Sequence, residues 1–149
     1  MDELALRFLD SDPKLKIAIL CVDPSSSKSG GALLGDRLRF NCAESTRIYF
    51  RSIATRAAHR AVSPKLLACV DRLCREDFDL IFVETAGIGQ SDSSVRKVCG
   101  HTVYVMTSEY GATSQLDKID MLDWADFVAL NKFDRPGSSD ALREVRKAL

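Results

Sequence analysis

Apolar residues in this chain fall into short runs separated by polar stretches of helical period. Four runs stand out: "KIAILCV" (16–22), "DLIFVE" (79–84), "TVYVM" (102–106) and "DFVALN" (126–131). Each is rich in β-formers and lacks strict polar alternation, which predicts strands covered on both faces. Between them, "PKLLACVDRLCRED" (64–77) sets Leu66, Leu67, Val70, Leu73 and Cys74 on one helical face, with Pro64 suited to the first turn. The stretch "SQLDKIDMLDWA" (114–125) does the same with Leu116, Ile119, Leu122 and Trp124. "SSDALREVRKAL" (138–149) follows Pro136-Gly137, with Ser138, Ser139 or Asp140 available as a cap. Strands alternating with helices predict an α/β fold, a mainly parallel sheet flanked by helices, in one domain over 1–149.

In such sheets ligands bind beyond the carboxyl ends of the strands. Asp23 follows the first run, Glu84-Thr85-Ala86-Gly87 the second, and Asn131-Lys132-Phe133-Asp134 the fourth. These three polar clusters are expected to converge on one rim. A carboxylate at Glu84 can hold a metal-bound water, and Gly87 lets a backbone N–H approach a terminal phosphate. Gln90 is a candidate for orienting an attacking water. A strand-end acid before a glycine-rich turn gives the same pattern without a ligand.

"NKFD" is more specific. A carboxylate at Asp134 accepts from the N1–H and exocyclic amine of guanine, a donor pair that adenine lacks. Asn131 is placed for the other edge of the purine, and the Lys132 stem for its face. Asn, Asp, Pro and Gly also make strand-end turns on their own account, so "NKFDRPG" has a purely structural reading too.

The stretch from Asp23 to Asp36, "DPSSSKSGGALLGD", carries two acids that could face one magnesium ion. Its glycines permit movement, and its hydroxyls and Lys28 suit phosphate. It reads as a switch loop, or as a surface loop with Asp36 capping a helix. Arg47, Arg51, Arg56 and Arg60 recur every four or five residues and are candidates to face a phosphate or a partner, though a solvated helical or loop face accounts for at least half of them. His59 and His101 stand alone.

Composition narrows the partners. Among 149 residues the formal net charge is zero, which gives no electrostatic support to a nucleic-acid or anionic-membrane partner. Five cysteines, at 21, 42, 69, 74 and 99, show no CxxC spacing and read as reduced thiols. Cys69 and Cys74 are expected to pack on a helix face. The start "MDELALRFLD" lacks a basic leader, and no apolar stretch approaches the roughly 18 residues of a membrane helix, so the chain reads as cytoplasmic.

"VDPSSSKSGGALLGDRLR", "FRSIATR", "LIFVETAGIGQSD" and "TSEYGATSQLDKIDMLDWADFVALNKFD" together resemble the GTPases that chaperone cobalamin-dependent acyl-CoA mutases. That family includes the partner of methylmalonyl-CoA mutase, formerly described as an arginine/ornithine transport kinase, and the G domain of fused isobutyryl-CoA mutase. The resemblance covers nearly the whole chain and is nearer to the fused form. It implies a phosphate-loop NTPase-like G domain using GTP and Mg²⁺, with Asp23, Asp36 and Glu84 as metal-site acids. Gly87 would sense the γ-phosphate, and Asn131, Lys132 and Asp134 would hold guanine. The segment after "YVMTSEYGAT" would report nucleotide state to the mutase. GTP binding and hydrolysis would gate loading of adenosylcobalamin into the partner and release of damaged cobalamin.

The family's phosphate loop, GxxxxGK[ST], does not occur in this sequence, and Met1 falls within the helix that this loop would open. The resemblance therefore implies a partial G domain without its first strand and phosphate loop. Such a chain alone is expected to bind GTP poorly and hydrolyse it negligibly. The absent strand lies inside the family's sheet, so two unpaired edges are expected; the chain would then close the gap, pair with another copy or be marginally stable, and of these a homo-oligomer is the favoured outcome. Two other readings remain open: a nucleotide-incompetent module that only docks a mutase, and an ATP-dependent transport kinase, against which Asp134 argues.

Overall fold

The computed structural model describes residues 1–24, 40–55, 62–85, 93–110 and 122–149. The chain divides into two units, Met1–Ile88 and Gly89–Leu149.

The first unit is organised by strand β1 (Ile17–Pro24). It is paired in parallel on one side with β2 (Ile48–Thr55) and on the other with β3 (Leu80–Thr85), giving the order β2-β1-β3. Ile17 sits opposite both Ile48 and Leu80, and Cys21 sits opposite Glu84. Successive side chains of a strand point to opposite faces. Ile17, Ala18, Ile19 and Leu20 are all fully buried, so both faces of β1 are covered. This is the expected behaviour of an apolar run without alternation. On one face Ile17, Ile19 and Cys21 pack with Ala5 and Leu9 of helix α1 (Asp2–Ser11) and with Cys42. Phe40, Phe50 and Phe82 border this cluster, with Phe40 and Phe50 rings 4.9 Å apart. Each such aliphatic side chain contributes about 1.5–3 kcal/mol when fully buried.

Side chains staple α1 in place at both ends. At its start, Asp2 accepts hydrogen bonds from the Cys42 N–H (2.8 Å) and the Asn41 amide (3.1 Å). Burial opposes the Asp2 charge, but these bonds outweigh it and hold the carboxyl below its ordinary range. Burial also pushes the Cys42 thiol up to about 12, with the adjacent Asp2 carboxylate adding to the rise. Past the end of α1, the Arg47 guanidinium donates to the Leu9 and Asp12 carbonyls. Carbonyls in the last turn of a helix have no intrahelical donor, so Arg47 satisfies part of that deficit.

Strand β2 is not among the four predicted runs. Its sequence, "IYFRSIAT", is interrupted by Arg51 and Ser52, and in the order β2-β1-β3 it pairs only with β1. An edge strand has no need of two apolar faces: Tyr49 and Arg51 are exposed on one face, while Ile48 and Phe50 pack against the buried cluster on the other. Helix α2 (Pro64–Leu73) begins as expected, with Pro64 in its first turn and the Ser63 hydroxyl accepting from the Leu66 N–H. It ends four residues earlier than the pattern predicts. Lys16, at the entrance to β1, binds Asp77 through its ammonium group and Asp79 through its N–H, drawing that segment out of the helix. Cys74 becomes the exposed residue that caps the end of α2, and Leu67 is 46% exposed, so neither packs on the helix face assigned to it.

In the second unit β4 (Val103–Thr107) and β5 (Phe127–Asn131) pair in parallel, with Val103 opposite Phe127 and Thr107 opposite Asn131. Asp126 fixes where this ladder starts. Its carboxylate accepts from the Thr102 N–H (2.7 Å) and hydroxyl (2.9 Å), and these bonds hold its pKa below the ordinary range. Met106, Leu122 and Val145 of helix α3 (Ser138–Ala148) form the buried cluster, flanked by Tyr104, Val128 and Leu130. The helix expected over 114–125 lies largely outside the described residues; at its end Leu122 is buried and the Trp124 ring carries the Arg96 guanidinium at 5.7 Å. Gly137 caps α3, not Ser138, Ser139 or Asp140. It takes φ 81°, open to glycine at little cost, and the Ser138 hydroxyl turns back to the Arg135 carbonyl at 2.7 Å.

The architecture is therefore α/β, with parallel strands flanked by helices, consistent with a phosphate-loop NTPase-like fold. The strands form two ladders, β2-β1-β3 and β4-β5. Among the described residues no helix is long and apolar enough to cross a membrane.

Truncating Leu20, fully buried in β1, to alanine is expected to lower unfolding free energy by about 2–5 kcal/mol. The same change at the half-exposed Leu67 is expected to cost about 0.5 kcal/mol or less. Urea unfolding of both variants compares the two directly.

Candidate functional site

Parallel neighbours end on the same edge, so β1 and β3 deliver the segments after Val22 and Val83 together. Glu84 lies opposite Cys21, is exposed, and accepts a long hydrogen bond from the Cys21 thiol at 3.6 Å. Asp23 continues β1 opposite Ala54, and its side chain lies outside what the structure describes. Asp36, Gly87 and Gln90, the remaining expected phosphate- and metal-site residues of this unit, also lie outside the described residues. Among the described residues no three His, Cys, Asp or Glu side chains gather as metal ligands. Glu84 still fits Mg²⁺, which takes one or two carboxylate oxygens and keeps several waters.

Asn131, Lys132 and Asp134 occupy the carboxyl end of β5, and all three are exposed. Lys132 has φ 55°, a left-handed backbone that costs a non-glycine residue about 1–2 kcal/mol. Two hydrogen bonds offset that cost. The Lys132 N–H donates to Asn131 Oδ1 (2.9 Å), while its carbonyl accepts from the Arg135 N–H (3.0 Å). Because Lys132 N–H is a donor, the atom it meets must be the amide oxygen of Asn131. The NH₂ of Asn131 is then the group turned to act as donor, the polarity needed for the N7/O6 acceptor edge of a purine. Phe133, 49% exposed, adds an apolar surface to the same turn.

A second set of residues supports this turn. Thr107 lies opposite Asn131 at the end of β4. Its hydroxyl donates to one oxygen of Glu109 (2.8 Å), and the Arg135 guanidinium donates to the other (2.5 Å). The Ser108 hydroxyl donates to the Pro136 carbonyl at 3.4 Å. The Thr107 hydrogen bond first, then Arg135, holds the Glu109 carboxyl below its ordinary range.

The family model described as methylmalonyl-CoA mutase-associated GTPase MeaB matches residues 2–149. The chain belongs to the MeaB family. It is 52% identical over 146 residues to the fused isobutyryl-CoA mutase of Geobacillus kaustophilus, covering 98% of this chain and 13% of that protein. Against the fused isobutyryl-CoA mutase of Cupriavidus metallidurans identity is 53% over 147 residues, again covering 98% and 13%. A protein of Pyrococcus horikoshii named as a GTPase is 34% identical over 136 residues, covering 91% of this chain and 43% of that protein. The chain thus spans a small part of the fused mutases that it matches.

For this MeaB-family chain, sequence reading assigns the segment following "YVMTSEYGAT" a role only by resemblance and gives Glu109 and Arg135 none. The signal that could have found them is their spacing. Glu109 lies two residues past the end of β4 and Arg135 four past the end of β5, and those ends are register partners. Arg47, left open between a phosphate or partner and a solvated face, is the residue that closes the end of α1.

The Glu109 carboxyl is expected to titrate below the ordinary glutamate value of about 4.3, and Arg135→Ala is expected to raise it toward that value. Since the folded pKa is the lower one, the stability Glu109 contributes is present above the unfolded value and lost as pH falls through the folded one. NMR titration of the side-chain carboxyl in both proteins checks the direction.

Proposed function

We propose that this chain is part of a GTP-binding and GTP-hydrolysing domain that acts as chaperone to a cobalamin-dependent acyl-CoA mutase. The observation that carries the reading is the Asn131–Asp134 turn, whose hydrogen bonds leave the Asn131 amide to donate at the end of a parallel strand. Membership of a family described as mutase-associated GTPases supports it, as does identity of about half to proteins named fused isobutyryl-CoA mutase.

In this reading Asp134 accepts from the N1–H and exocyclic amine of guanine, Asn131 donates to the opposite edge, and the Lys132 stem covers the ring face. Gly87 admits the terminal phosphate, and Gln90 orients the attacking water. Asp23, Asp36 and Glu84 would hold Mg²⁺, which when bound neutralises charge on the phosphates. Nucleotide state, GTP or GDP, gates loading of adenosylcobalamin into the mutase and release of damaged cofactor. The mutase is an isobutyryl-CoA or methylmalonyl-CoA enzyme, fused or separate. The protein is cytoplasmic and homo-oligomeric, without nucleic-acid or membrane partners. Asp134 weighs against an ATP-using transport kinase, because adenine offers a carboxylate no matching pair of donors.

Competition of GTP and ATP for the full-length protein tests the reading. Wild type is expected to prefer GTP strongly, and Asp134→Ala to reduce that preference by about 100-fold or more, as when a site's hydrogen-bonding group is lost. Equal competition by ATP in the wild type would overturn it.

A further inference from the structure

The proposed base-binding turn is not held by its own residues alone. Starting from Asn131, the parallel register leads to Thr107. The Thr107 hydroxyl leads to Glu109, Glu109 to the Arg135 guanidinium, and the Arg135 N–H to the Lys132 carbonyl. The Lys132 N–H returns to Asn131. These links close a ring around the turn, and every member lies within the second unit. Arg135 is the residue where it tightens, with its backbone closing the turn at Lys132 while its side chain reaches across to the β4 exit. Glu109 is the complementary piece, offering one oxygen to each side. Asp134 sits between Lys132 and Arg135, the two residues that the ring fixes.

We propose that Glu109 and Arg135 are positioning residues for the purine base, locking the 131–134 turn to the end of β4 so that the Asp134 carboxylate is presented at a fixed place. The proposal rests on the base-binding role given above to that turn. The Glu109–Arg135 pair is partly exposed, with side chains 58% and 46% accessible, so its effect on global stability is screened by solvent. Its contribution is geometric. It lowers the freedom of a turn whose backbone is already unfavourable at Lys132 and whose specificity depends on placing two acceptor oxygens opposite two donors.

The consequence is specific to guanine. Inosine nucleotides keep the N1–H but lack the exocyclic amine, so discrimination between GDP and IDP reads how well Asp134 is placed. A merely structural weakening would lower affinity for both nucleotides alike.

Binding of GDP, IDP and ADP to the full-length protein, measured by calorimetry, tests this in wild type, Glu109→Gln, Arg135→Ala and Arg135→Lys. Glu109→Gln and Arg135→Ala are expected to raise the Kd for GDP by about two- to fivefold, the scale of an exposed charge pair, with a smaller effect on IDP. Arg135→Lys, which keeps a cation opposite Glu109, is expected to recover much of the loss. In steady-state GTP hydrolysis the KM should rise more than kcat falls. If Arg135→Ala does not fold, judged by circular dichroism, the near-isosteric Glu109→Gln and the Arg135→Lys variant decide. Unchanged GDP affinity and GDP-to-IDP ratio in Glu109→Gln, with the wild type still preferring GDP over ADP, would overturn the positioning role and leave the base-binding reading standing. A wild type that does not prefer GDP over ADP would overturn both.

Discussion

Burial of β1 on both faces, between two parallel partners, is the constraint from which the first unit follows. A strand with no solvent-facing side must have its backbone donors and acceptors satisfied by neighbours and its side chains covered by helices or loops. Ile17 through Leu20 meet both demands, with β2 and β3 pairing the backbone and α1 covering the face of Ile17 and Ile19. Parallel pairing then decides where the polar residues go. Chains that run the same way must leave from the same edge, so Asp23 and Glu84 emerge side by side because of hydrogen bonds made several residues earlier.

The same logic operates in the β4-β5 ladder at smaller scale. Asp126 and Thr102 set the register at the beginning, and that register brings Thr107 opposite Asn131 at the end. One acid at the base of the ladder therefore determines which residues meet at its tip. The left-handed backbone at Lys132 is sustained by neighbours on both sides of the turn. Local strain of this kind persists where the surroundings over-determine the conformation, a common property of sites that must present fixed groups to a ligand.

What was legible in the sequence, and what was not, divides along the same physical line. The run at 16–22 was legible because a strand covered on both faces reads as a continuous apolar stretch. The runs at 79–84, 102–106 and 126–131 were legible as β-rich apolar stretches, but Val103 and Val105 of β4 and Phe127 of β5 are exposed, so the cover expected on both faces does not hold for those two strands. β2 was hidden because an edge strand tolerates Arg51 and Ser52. Helix α2 was placed, but its end was not, since Lys16 and its acidic partners Asp77 and Asp79 are more than sixty residues apart along the chain. Gly137 displaced the serine caps because only the folded turn shows that a positive φ is required there. The candidate site follows suit. Asp23, Glu84, Asn131, Lys132 and Asp134 could be marked as strand-end residues from pattern alone. Glu109 and Arg135 could not, because their meeting depends on a register that no local motif encodes. Asp36, Gly87 and Gln90 lie outside the described residues, and their assignment stays with the family's pattern.

The staple between α1 and the turn at 41–42 has a chemical side effect. Cys42 is sealed from solvent, and the anion that anchors its N–H also keeps its sulfur protonated. Nucleophilic attack, alkylation and oxidation all begin from the thiolate. The device that fixes a helix thus silences a cysteine, and leaves Cys74, out on the surface past α2, to meet whatever oxidants the surroundings supply.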